Sequence, residues 1–154
     1  MIGRGVRTLA LLVATAGCCD SALAQRVTFL TVSAFSYHLD RSREYNERNA
    51  GAGVEKFVSD NVAVIGGFYR NSRPDGEGTS MYGGLTYTPI SYGPIRAGLV
   101  LGGVTGYQAA RVLPSAGALI TLGDRTSGLN IHVLPSASNR TMFSTIGVQL
   151  KQAF

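Results

Sequence analysis

The closing stretch STIGVQLKQAF, Ser144 to Phe154, places Ile146, Val148, Leu150 and Phe154 on one face, interrupted only by Gln152. A period of two is the signature of a strand whose two faces meet different surroundings. The same alternation, or a short apolar run between turn signals, recurs through residues 25–154, while apolar spacing at three and four never lasts beyond a few residues. Helix is thereby nearly excluded. The predicted strands are Val27–Leu39, Ala50–Phe57, Val62–Asn71, Ser80–Thr88, Ile95–Tyr107, Leu113–Leu122, Gly128–Pro135 and Met142–Phe154.

The connections between these strands alternate in character. SDN, PISYGP and GDRTS are short, DRSREYNERN and SRPDGEGT are long and polar, and GYQAARV and SASNR lie between. Short turns at one end and longer loops at the other are how an outer-membrane barrel is laced. A sheet crosses hydrocarbon only when every backbone group is paired, so it must close on itself. The expected fold is all-β: an eight-stranded antiparallel transmembrane β-barrel with short periplasmic turns and longer extracellular loops. The competing fold, a secreted sandwich or lipocalin-like barrel, would bury its apolar faces inward.

The first residues fit an exported chain. Arg4 and Arg7 precede an apolar run from Leu9 to Gly17, followed by Ala22-Leu23-Ala24, which predicts a signal peptide over 1–24 and a barrel domain over 25–154. The run is too short for the roughly 20 apolar residues of a helical span. Cys18 and Cys19 both fall in the leader, so the barrel domain has neither disulfide nor thiol chemistry; TAGC is also a partial lipoprotein processing match, with a lipidated Cys18 as the minor alternative. Without Arg4, Arg7 and Asp20 the balance is 12 basic to 8 acidic residues, a net charge of +4. In an exported chain that surplus suits anionic lipid better than nucleic acid.

On strand one, Phe29, Phe35, Tyr37 and Leu39 fall on one alternating face, and Leu30, Val32, Ala34, Ser36 and His38 on the other. The bulky aromatic face is expected toward lipid and His38 toward the barrel mouth. With both termini at the short-turn end, odd-numbered strands run outward, which brings His38 and the pair Asn71-Ser72 to the same rim. Pro114 and Pro135, on neighbouring strands, lack ladder donors and are expected either to weaken one seam or simply to mark strand ends.

The stretches YH (Tyr37-His38), YNER (Tyr45 to Arg48) followed by GAG (Gly51 to Gly53), FYRNS (Phe68 to Ser72), and the LP pairs at Leu113-Pro114 and Leu134-Pro135 resemble the outer-membrane lipid A palmitoyltransferases. The similarity runs from strand one to the C terminus, with YNER and its small residues the most specific part. The resemblance implies acyl transfer from a phospholipid donor to lipid A, with no cofactor and no metal. It maps the catalytic residues onto His38, Asn71 and Ser72, with His38 as general base, Asn71 orienting it and Ser72 serving the oxyanion. It also implies a lateral lipid gate at Pro114 and Pro135. The acyl-chain floor falls on Tyr82, or on Gly83 if the register slips by one.

The chain departs from that family in three places. Asn71 stands where the family has an aspartate, Asn49 stands where it has a proline after YNER, and only Gln25 to Val27 precede strand one where it has an amphipathic helix. An asparagine holds a ring by hydrogen bonding without supplying a carboxylate. A lipid A deacylase or other lipid hydrolase, a non-catalytic barrel and a soluble lipid-binding barrel therefore stay open. Arg41, Arg43 and Arg48 are matched by Asp40, Glu44 and Glu47, so the first loop reads equally as self-paired or as a phosphate site. His132 has no second histidine or acidic cluster at metal-ligand spacing, and GGVTGY lacks the helix that a phosphate loop needs.

Overall fold

The computed structural model describes residues 27–41, 44–72, 78–107, 111–135 and 145–154. The proposed signal peptide lies outside the described residues. Eight strands follow one another: β1 (Thr28–His38), β2 (Gly51–Phe57), β3 (Val62–Arg70), β4 (Thr79–Tyr92), β5 (Ile95–Val104), β6 (Leu113–Gly123), β7 (Ser127–Leu134) and β8 (Thr145–Ala153). Each pairs antiparallel with its sequence neighbour, and β8 pairs with β1, so the sheet closes into a barrel without an edge. The connections after β2, β4 and β6 are the short ones, as the lacing predicts.

The outward face is apolar. Leu30, Val32, Phe35, Tyr37, Val64, Phe68, Leu85, Leu99, Leu101, Ile120 and Leu150 are all exposed there, whereas Thr31, Glu55, Ser80, Thr86, Thr121, Asn130 and Lys151 are buried in the lumen. This is the inverse of a soluble barrel, and it suits hydrocarbon outside and paired polar groups within. Ile146, Val148, Leu150, Gln152 and Phe154 alternate with the buried Lys151, so the final strand faces as predicted.

Two bulges correct the strand reading. A register shift between Ser33 and Phe35 in the β1–β8 ladder reverses the parity of β1 midway. Phe29 and Thr31 therefore point inward together with Ser36 and His38, while Leu30 and Val32 join Phe35, Tyr37 and Leu39 outside. Strict alternation had placed Phe29 on the outer face and Leu30 and Val32 on the inner one. The second shift, between Tyr87 and Ile90, absorbs Pro89, so β4 continues to Tyr92 rather than ending at Thr88. A proline without an N–H fits a bulge because the ladder is already interrupted there.

The β6–β7 ladder runs only from Ala118↔Val133 to Gly123↔Gly128, leaving the residues of β6 at 113–117 without partners on β7. Pro114 pairs with Gly103 on the β5 side and faces outward, and Pro135 lies just beyond the end of β7.

Candidate functional site

His38 closes β1 at the long-loop end, on the inner face, and is 6% exposed. Its ring stacks on Tyr45 with centroids 4.3 Å apart and planes at 14°, and its buried Nδ1 has no hydrogen-bond partner among the described residues. A buried ring nitrogen that bonds to nothing is uncommon, because desolvation is then uncompensated.

The segment 44–50 holds this end of β1. The β1–β2 ladder stops at Ser33↔Gly51, so the next β1 amides on that side need other acceptors. Ser36 N donates to the Glu47 carbonyl at 3.0 Å, and His38 N donates to Glu47 Oε1 at 3.1 Å. Arg41 adds an ion pair to the same oxygen at 2.5 Å, and its guanidinium lies 4.9 Å from the Tyr37 ring centre. The His38 amide and the Arg41 guanidinium hold the Glu47 carboxyl below its ordinary range. Part of the first loop is thus self-paired.

Asn49 joins β1 to the end of β3. Its Oδ1 accepts from Ser36 Oγ, and its Nδ2 lies 2.9 Å from the Arg70 carbonyl, 3.0 Å from Ser72 Oγ and 3.2 Å from the Asn46 carbonyl. Asn46 reinforces the join, donating from Nδ2 to the Asn71 carbonyl at 2.9 Å and from its backbone to the Ser72 carbonyl at 3.2 Å. Ser36 is two residues from His38 on the same inner face, so His38 and Ser72 belong to one hydrogen-bonded rim. Asn71 turns toward the other side: its Nδ2 donates to Ser80 Oγ at 2.8 Å and to the Gly106 carbonyl at 3.1 Å. Asn49, Tyr45 and Glu47 were not singled out as site residues in the sequence. Their signal is YNERN itself, in which YNER carries the family resemblance and Asn49 departs from it.

Below the rim, polar side chains cross the lumen. Tyr69 and Tyr107 share a hydrogen bond of 3.1 Å between hydroxyls. Gln149 Nε2 donates to Ser33 Oγ at 2.9 Å and to the Tyr82 hydroxyl at 3.3 Å, while its Oε1 lies 3.1 Å from His132 Nε2. Tyr82 therefore points inward, and Gly83 sits on the exposed outer face of β4. Among the described residues no group of three His, Cys, Asp or Glu side chains is arranged to hold a metal ion.

No family model matches the chain, and no curated protein matches it. Among solved structures, a de novo designed protein, TMB2.3, solved by solution NMR, aligns with a TM-score of 0.59 at 12% identity, covering 86% of this chain and 98% of its own. The Yersinia pestis outer membrane protein Ail, in a phospholipid bilayer nanodisc, aligns with a TM-score of 0.46 at 14% identity, covering 84% of this chain and 100% of its own. At these identities the likeness is one of fold, and the chain has the fold of a closed eight-stranded antiparallel barrel.

Proposed function

We propose that the chain is an outer-membrane barrel whose long-loop rim carries out acyl transfer, moving a palmitate-like chain from a phospholipid to lipid A. The apolar outer face and polar lumen support the membrane setting. One observation carries the chemistry: the buried His38 Nδ1 has no hydrogen-bond partner among the described residues, while the same rim holds the Ser72 hydroxyl. In the proposed reaction the acceptor hydroxyl oxygen attacks the phospholipid ester carbon, and His38 takes the hydroxyl proton. A new ester C–O bond forms and the old one breaks. The departing lysophospholipid oxygen recovers the proton from the imidazolium. Ser72 donates a hydrogen bond to the carbonyl oxygen as it gains charge.

A second reading, a non-catalytic barrel, is favoured by the uses to which Asn71 and Ser72 are put. The Asn71 amide ties β4 and the segment after β5, and the Ser72 hydroxyl accepts from Asn49. Mass spectrometry of lipid A from cells making the protein separates the readings. Added mass equal to one acyl chain supports transfer, a loss of one chain supports hydrolysis, and unchanged lipid A supports the non-catalytic barrel.

A further inference from the structure

The half of the lumen nearer the short turns is filled differently from the rim. Glu55 on β2 receives Lys151 Nζ from β8 at 3.1 and 3.2 Å and Asn130 Nδ2 from β7 at 2.8 Å, while Asn130 Oδ1 accepts from Thr121 on β6 at 2.7 Å. Strand β1 separates β2 from β8, so these contacts span the lumen rather than follow the ladder. Both charged side chains are 2% exposed, and the ammonium sits 4.7 Å from the Phe29 ring centre and 5.5 Å from that of Phe57. Toward the long loops Ser36, His38, Asn71, Ser72 and Ser80 are buried as well, whereas His132 and Leu134 on β7 are half-buried.

A passive plug needs no charge. Apolar residues of similar volume would close a narrow lumen without the desolvation that a buried ion pair incurs. What an ion pair adds is separability, because each charge attracts water once its partner is gone. We propose that Glu55–Lys151 is an ionic latch that keeps the barrel closed to ions, and that losing either charge turns the lumen into a water-filled conducting path. This inference is independent of the acyl-transfer reading.

The test uses the protein with Cys18 and Cys19 replaced by serine, reconstituted in planar bilayers. The latched protein is expected to stay silent. Glu55→Ala and Lys151→Ala are each expected to raise the open fraction at least tenfold, and the exchanged pair Glu55→Lys with Lys151→Glu to return it to the silent level. Silent alanine variants that retain strand circular dichroism would overturn the proposal, as would an exchanged pair that conducts like them. A second measurement keeps the latch intact and so does not depend on those variants folding. Thr86→Cys, at a fully buried inward position of β4, should react with a charged thiol reagent at least tenfold more slowly than Leu134→Cys from either side of the membrane. Equal rates would also overturn it.

Discussion

The hydroxyl of Tyr82 lies 3.3 Å from Gln149 Nε2, although β4 and β8 stand on opposite sides of an eight-stranded barrel. The phenol reaches that far because the backbone it passes over on the neighbouring strands β3 and β2 is bare: a Cβ at Gly67 would stand 2.8 Å from the Tyr82 hydroxyl, and one at Gly53 would collide with it. Tyr82 is therefore the crossbar under the rim.

If the acyl chain enters the lumen from the rim, this crossbar limits its length. The chain transferred is expected to be shorter than palmitate, and Tyr82→Gly is expected to lengthen it. Mass spectrometry of the modified lipid A reads the length directly. The same chain length in an active Tyr82→Gly protein contradicts this role.

Gly67→Ala places a methyl group 2.5 Å from the Ala52 carbonyl oxygen, 2.6 Å from Gly53 Cα and 2.8 Å from the Tyr82 hydroxyl. Overpacking of this kind costs roughly 1–3 kcal/mol. Urea unfolding of the reconstituted barrel should show that loss, and Gly67→Ala combined with Tyr82→Phe should recover part of it. Equal stability of Gly67→Ala and the parent would show that the β2 backbone and the ring both move aside freely.

Lys151→Met leaves the Glu55 carboxylate buried without its cation. Breaking a buried pair costs roughly 3–5 kcal/mol, whereas replacing both partners by apolar residues is often near neutral. Lys151→Met with Glu55→Leu should therefore unfold at higher urea than Lys151→Met alone. The opposite order would mean that an unpaired Glu55 carboxylate is not what destabilises Lys151→Met.

Because the folded Glu47 carboxyl titrates below its ordinary value of 4.5, its contribution is fully present above that pH and is lost as the pH falls through the lowered value. The backbone amide resonance of His38, which donates to this carboxylate at 3.1 Å, should shift with a midpoint below 4.5. Glu47→Gln should abolish the titration. A midpoint at or above 4.5 would contradict the arrangement.

Strand number, turn placement and the outward face of β8 were legible because alternation and turn residues are local. The parity of β1 was not, because one bulge near Ser33 exchanges the two faces and leaves no mark in the composition. Pro89 was legible as an interruption, but it marks a bulge inside β4 rather than the strand's end. At the rim, His38 and Asn71-Ser72 could be assigned to the same end by counting strands. That Asn49 joins Ser36 to Ser72, and that Glu55 meets Lys151 across the lumen, depends on a closed register between residues far apart in sequence. Local pattern does not contain that register.

Acyl transfer at His38 is tested by supplying purified barrel in mixed micelles with lipid A and a phospholipid bearing a deuterated acyl chain. Deuterated lipid A is expected together with an equal amount of lysophospholipid, at a rate lowered roughly 100- to 10,000-fold in folded His38→Ala, the usual range for loss of a general base. Unlabelled lipid A with the folded parent protein, or undiminished transfer by His38→Ala, would contradict it.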